Sequence, residues 1–375
     1  MRIINFLGFS TVAPVSARIA SCVGIVAVVL ATSVGVAEAQ DESSAKKPNI
    51  VVIGTGGTIA GAGKVSTDTS TYQTASIAVD AIVAQVPALA SVANVTSEQV
   101  FQVGSKSMNE ELMIKLAKRV SEVLKRSDVD GVVITHGTDT LEETAYLLNL
   151  TVHSDKPIVF AASMRPATAI SADGPLNLLD AVIVASSKEA KGKGVLVALN
   201  DEIHTARDVA KTNSFKTDTF KSPYGPLGYV VEGKAIFYRN IIRPSTTASE
   251  FNIEQIDKLP RVDVVYQYTN SDTVTYDALI KAGAKAIVIS GTGNGNVSDA
   301  LMPQLAEIMK KGTVLVRTSR TGSGSLYRGA SYSGDTRYGF VAADDQSPVK
   351  ARLLTALALT KSSDPKILRE VFYRY

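Results

Sequence analysis

An α/β fold, with a larger amino-terminal domain on a mostly parallel sheet and a smaller carboxy-terminal α/β domain, is predicted by three features of this sequence. Apolar, β-rich runs alternate with helical patterns, as βαβ units do. Several of those runs end directly in loops rich in glycine, threonine or asparagine. The pattern weakens once, between Arg239 and Pro260, before a second α/β stretch begins, and 375 residues exceed one average domain.

Composition narrows the function. Hydrophobic residues make up 45% and charged residues 20%, with 27 Gly and 13 Pro, an ordinary globular composition that argues against disorder. The net charge is +3 and the basic residues are scattered, so nothing marks a nucleic-acid or membrane surface, and a small-molecule ligand is the better default. The amino terminus differs. Arg2 and Arg18 precede an apolar run, Val23 to Val36, that ends in Ala37-Glu38-Ala39. This order of basic, apolar and small-x-small segments predicts a signal peptide over 1–39, and hence a periplasmic or secreted protein with no membrane attachment after cleavage. The alternative is an uncleaved anchor, because Ile19 to Ala37 could nearly span a bilayer. Cleavage would remove Cys22, the only cysteine, which excludes disulfides, thiolate metal sites and a cysteine nucleophile from the mature chain.

In order along the chain, residues 40–47 read as a loose polar start. The amino-terminal domain spans 48–238. Its first strand, Asn49 to Ile53, enters Gly54-Thr-Gly-Gly57; Val132 to Thr135 enters His136-Gly-Thr-Asp-Thr140; Ile158 to Phe160 enters a loop with Arg165-Pro166; and Gly194 to Leu199 enters Asn200-Asp-Glu. Leu112, Leu116, Val120 and Val123 follow helical spacing behind the start signal Asn109-Glu-Glu111. Residues 239–260 read as a linker, and 261–375 as the second domain. Its expected strands are Val262 to Tyr266, Ala286 to Ile289 and Thr313 to Val316, with helices near Tyr276 to Ala282, Ser298 to Lys311 and Val349 to Thr360. In a parallel sheet, ligands bind beyond the carboxyl ends of the strands, which is where Gly57, Thr58, Thr138 and Asp139 are expected.

The glycine-rich loop at Gly54 invites a nucleotide reading, but neither fingerprint completes. Ile59 stands where a dinucleotide motif needs its third glycine. A phosphate loop ending at Gly63-Lys64 would need glycine at Thr58 and a hydroxyl at Val65. What remains is a tight loop presenting one hydroxyl, Thr58, as a reactive group or as a helix cap. His136-Gly-Thr-Asp-Thr140 precedes a helical pattern, Leu141 to Leu150, so free N–H groups there could hold an oxyanion or carboxylate; Thr138 or Asp139 could equally be a cap. His136 fits a buried hydrogen-bonding residue better than a general base. The three histidines form no cluster with carboxylates at ligand spacing, so no metal and no cofactor is expected.

The segments Thr55-Gly-Gly-Thr-Ile-Ala-Gly61 and Thr135-His-Gly-Thr-Asp-Thr-Leu-Glu-Glu-Thr144 resemble the two signature segments of bacterial asparaginases. The resemblance extends through Ser163-Met-Arg-Pro166, Ser171-Ala-Asp-Gly-Pro175, Arg207-Asp-Val-Ala-Lys-Thr-Asn213, Tyr224-Gly-Pro-Leu-Gly228, Gly293-Asn-Gly-Asn296 and Arg317-Thr-Ser-Arg320, covering about Lys47 to Tyr375. With the export signal it looks like the type II branch, an L-asparagine amidohydrolase. The resemblance implies Thr58 as nucleophile, with Tyr72 tuning its proton, and Thr138, Asp139 and Lys211 as a second group that polarises the threonine or a water. A threonine hydroxyl needs a neighbour to take its proton, and Lys211 could do so only if burial lowers its pKa. Ser105 would hold the substrate α-carboxylate and Asp139 its ammonium, while Gly57 and Thr138 N–H groups would receive the oxyanion. Asn296 from a neighbouring subunit would complete the site, implying a homotetramer; asparagine there, where glutamine-active relatives often have serine, leans toward asparagine as substrate.

Two departures stand out. Lys106 stands where the family usually has Gln or Glu on the substrate ammonium. The family's later glutamate has no counterpart between Thr321 and Tyr338, where Asp335 is the only acid and Ser331 or Tyr332 takes the position. The alternatives are a dual glutaminase–asparaginase and, from another class, a periplasmic amino-acid-binding protein. Binding alone needs no hydroxyl–lysine pair.

Overall fold

The computed structural model describes residues 46–328 and 333–375, so the expected signal segment, with Cys22, lies outside the described residues. Strand β1 (Asn49–Gly56) runs into a 3₁₀ turn at Thr58–Ala60 and then a short hairpin, β2 (Ala62–Gly63) with β3 (Tyr72–Gln73). Helices α1 (Val79–Ala84) and α2 (Leu89–Val92) lead to β4 (Asn94–Val103), a 3₁₀ turn at Ser105–Ser107 and α3 (Glu110–Lys125). Regular alternation follows through β5 (Gly131–Thr135), α4 (Leu141–Thr151), β6 (Ile158–Ala161), α5 (Gly174–Ser186) and β7 (Val195–Leu199). Next come β8 (Glu202–Thr205), the hairpin of β9 (Ala210–Lys211) with β10 (Phe220–Lys221), and β11 (Gly228–Val231) with β12 (Lys234–Phe237). The carboxy-terminal part holds β13 (Val262–Tyr266), α6 (Val274–Lys281), β14 (Ala286–Gly291), α7 (Met302–Lys310), β15 (Val314–Ser319), α8 (Ser333–Tyr338), β16 (Val341–Ala342), α9 (Pro348–Leu359) and α10 (Pro365–Arg374).

Among the described residues, the larger sheet has eight strands in the order β12-β11-β8-β7-β6-β5-β1-β4, and the smaller has β13-β14-β15-β16. From β4 to β7 every pairing is parallel; β8, β11 and β12 close the far edge antiparallel. The predicted α/β class with a parallel sheet is therefore correct, and its cause is visible in the cores. Val51 and Ile53 pack into one hydrophobic cluster while Ile50 and Val52 pack into another, on the opposite face. A strand covered on both faces must be apolar at every position rather than at alternate ones. Each such side chain contributes about 1.5–3 kcal/mol on burial.

Helix α3 starts where its sequence signal predicts: the Asn109 side chain accepts from the Leu112 N–H at 2.9 Å, capping the first turn. Its buried stripe is Met113, Leu116, Ala117, Val120 and Val123; Leu112 is only half-buried. The helix expected from Ser298 begins instead at Met302, because Pro303, which lacks an N–H, fits only its first turn. Between Arg239 and Pro260 the chain adds no strand among the described residues, yet Phe251 and Ile253 are buried in the core. Helix α9 lies between the sheets, packed on β13 and β14 on one side and on α4 on the other.

Candidate active site

The strand order decides where chemistry can occur. The chain runs from β1 outward to β4 on one side and then returns to β5 on the other, so the connections diverge at β1. A crevice opens at the carboxyl ends where such a reversal occurs. Three strand ends meet there: β1 delivers Gly57 and Thr58, β4 delivers Ser105, and β5 delivers Thr138 and Asp139. One cleft is lined by all of them, together with Tyr72, Lys106, Arg165, Lys211 and Phe215.

Close approach between the two threonine loops depends on glycine. Gly57 has φ +83°, and a Cβ there would lie 2.3 Å from the Gly137 nitrogen, so no larger residue fits. Thr58 and Thr138 are consequently both buried at the floor, 9% and 4% exposed. Neither acts as a cap. The Thr58 hydroxyl lies 2.9 Å from the Tyr72 phenol, and the Thr138 hydroxyl accepts from Lys211 Nζ at 2.9 Å. Helix α4 has Thr140 as its cap residue, without a side-chain capping bond.

Lys211 reaches the cleft from the β9–β10 hairpin and pairs with Asp139 Oδ1 at 2.8 Å as well as with Thr138. Tyr72 reaches it from β3, whose loop is braced by Asp68: its carboxylate accepts from the Ser70 N–H and hydroxyl and from the Thr71 N–H. Those bonds hold the Asp68 carboxyl well below the usual range. Ser105 Oγ accepts the Asp139 N–H at 3.1 Å, which leaves its own proton to donate into the cleft.

Gly57 requires a correction. Its N–H already donates to the Val103 carbonyl at 3.0 Å, so it is not free to receive an oxyanion. His136 is a buried side chain as expected: its Nδ1 lies 2.8 Å from the Gly137 carbonyl oxygen, and burial lowers its pKa to about 4.

Lys106 lies at the cleft rim with its side chain exposed. Asn296 does not line the cleft; it sits exposed after β14, bridged to Thr292. Asp335 cannot serve as the missing acceptor, because both of its oxygens accept from the buried Arg317 guanidinium, at 3.0 and 2.6 Å. Ser331 and Tyr332 lie outside the described residues. Arg165 and Phe215 had no assigned role from sequence, since their positions depend on distant loops folding onto the cleft. Among the described residues no group of His, Cys, Asp and Glu could hold a metal, and no helix is long and apolar enough to cross a membrane.

Comparison with known proteins agrees with this architecture. The family description "Asparaginase, N-terminal" matches residues 49–243, and "Glutaminase/Asparaginase C-terminal domain" matches residues 261–372. A glutaminase-asparaginase of Pseudomonas fluorescens is 48% identical over 94% of this chain and 97% of its own length. L-asparaginase 2 of Escherichia coli K12 is 44% identical over 88% of this chain and 93% of its own. A crystal structure of a probable cytoplasmic L-asparaginase from Campylobacter jejuni superimposes with a TM-score of 0.84 at 45% identity, covering 88% of this chain and all of that one.

Proposed function

We infer the roles of the cleft residues from one premise: the chain belongs to the asparaginase family, and its reaction is hydrolysis of L-asparagine to L-aspartate and ammonia. The observation that carries the assignment is the pair of threonines, each with its own activating partner, at adjoining strand ends.

In the first half-reaction Thr58 Oγ attacks the side-chain amide carbon. Its proton passes to the Tyr72 oxygen, and Tyr72 gives its own to the departing nitrogen, so ammonia leaves neutral and an ester to Thr58 remains. The developing oxyanion takes hydrogen bonds from the Thr58 and Thr138 N–H groups, each of the kind worth about 10²–10³ in rate. In the second half-reaction a water held by Thr138 attacks the ester, its proton returning to Thr58 as the acyl–oxygen bond breaks. Lys211 donates to the Thr138 oxygen and so turns the threonine's own proton toward that water. Ser105 is the donor to the α-carboxylate and Asp139 the acceptor for the α-ammonium.

Asn296 serves a cleft other than its own chain's, in a homotetramer. Its loop is flanked by Tyr327, 68% exposed, whose N–H donates to Asn294 Oδ1, an exposed aromatic suited to a subunit contact. The basic, apolar and small-residue order of residues 1–39 supports export to the periplasm. Relatives of both the asparaginase and the glutaminase-asparaginase kind stand at similar identity, so the second reading, a dual enzyme, rests on them and the first on Asn296. Ammonia release with each amide decides between them: a kcat/KM ratio strongly favouring asparagine is expected, and parity would establish the dual enzyme. No ammonia from either would leave a binding protein.

A further inference from the structure

A second lysine is buried beside the chain segment that leads into the hairpin carrying Lys211. Lys350, in the first turn of α9, is 2% exposed, and its ammonium donates to the main-chain carbonyls of Arg207 and Val209, at 2.8 and 2.5 Å. Those carbonyls lie three residues and one residue before β9, the two-residue strand that carries Lys211. The acid whose charge acts most strongly on Lys350 is Glu142, in the first turn of α4. Glu142 has one carboxylate oxygen buried without a hydrogen-bond partner, and the backbone N–H of Lys211 approaches its carboxylate. Helix α4 begins two residues after Asp139.

A charged residue here is costly. Lys350 lies on the same helical stripe as the fully buried Leu353, Leu354 and Leu357, and burial pulls its pKa down to about 8. If only stability mattered, a neutral apolar side chain of similar volume would serve as well or better. What it could not do is hold the carbonyls of Arg207 and Val209 and face an anion from one point.

We propose that Lys350 is a positioning residue for Lys211: its hydrogen bonds to the Arg207 and Val209 carbonyls pin the backbone entering β9, with the Glu142 carboxylate as the countercharge that holds its ammonium in place. Its geometric consequence is the 2.9 Å contact between Lys211 and Thr138. The inference rests on the reading of Lys211 as the group that polarises Thr138.

The test is a double-mutant cycle on the full-length enzyme with L-asparagine, using Lys350→Met, Lys211→Ala and the double variant, with rates normalised to active-site concentration. Lys350→Met is expected to lower kcat about 10–100-fold, the loss typical of a misplacement of about 1 Å, while KM changes less than about threefold. In the Lys211→Ala background it should cost nothing further, because residues acting as a unit are non-additive. If Lys211→Ala alone leaves kcat unchanged, the reading of Lys211 fails and this inference with it. If Lys211→Ala lowers kcat but Lys350→Met either has no effect or multiplies the loss in full in both backgrounds, the positioning role alone is overturned. Should Lys350→Met not fold, Glu142→Gln, which keeps the side-chain shape and removes the charge, takes its place in the same cycle. It is expected to lower kcat at constant KM and to be silent beside Lys211→Ala; full additivity or an unchanged kcat overturns the proposal.

Discussion

The Thr58 hydroxyl and the Tyr72 phenol meet at 2.9 Å because the β2–β3 hairpin folds back over the turn that follows β1. Tyr72→Phe keeps the ring and removes the oxygen through which the proton passes. It is expected to lower kcat about 100-fold or more while KM stays within a few-fold, as general acid–base losses do. Thr58→Ala should abolish the ester intermediate, read by mass spectrometry of acid-quenched enzyme. A covalent adduct in that variant would place the nucleophile elsewhere.

Thr138→Val preserves shape and deletes the acceptor of Lys211. Because the water step uses this hydroxyl, the variant should turn over at least about 100-fold more slowly yet still release a first equivalent of ammonia in a burst. Stopped-flow detection of ammonia reads it. Steady turnover near that of the parent would remove Thr138 from the mechanism.

Lys106 stands where the asparaginase resemblance implies an acceptor for the substrate ammonium, and Asp335, committed to Arg317, supplies no substitute. Each charge-assisted hydrogen bond that is absent weakens binding by about 1.5–3 kcal/mol, or roughly 10–100-fold. Lys106→Gln is therefore expected to lower the KM for asparagine about 10-fold and to increase the preference for asparagine over succinamate, which lacks the α-amino group. Unchanged values for both would make position 106 silent.

Asp180, on α5, is buried with one carboxylate oxygen unpartnered, and burial together with the nearby Asp201 charge pushes its pKa up to about 7. The folded carboxyl thus keeps its proton long after an unfolded aspartate, near 3.8, has lost it. Rising pH through that window favours the unfolded chain. Asp180→Asn is expected to raise the urea midpoint at pH 8, with the difference shrinking toward pH 4. Parallel curves for the two proteins across that range would show that Asp180 does not titrate this way.

The sequence by itself determined the layered α/β architecture and half of the site. Runs such as Ile50 to Ile53 are apolar at every position, as a strand covered on both faces requires, and covered parallel strands place ligands at their carboxyl ends. Thr58, Thr138 and Asp139 follow strands directly, so their place was legible from local pattern, and the family resemblance supplied candidate roles for Tyr72, Ser105 and Lys211. Only the tertiary structure decided the partnerships. Lys211 meets Thr138 across 73 residues because a hairpin folds over the end of β5, and no local period encodes that crossing. The same holds for the Gly57 N–H, taken by Val103 only because β4 pairs beside β1. Lys350 left one faint sign, a charge on the apolar stripe of an expected helix. Its meaning came from the packing of α9 between two sheets, where desolvation makes a buried ammonium seek the carbonyls of Arg207 and Val209 that lead into the strand of Lys211.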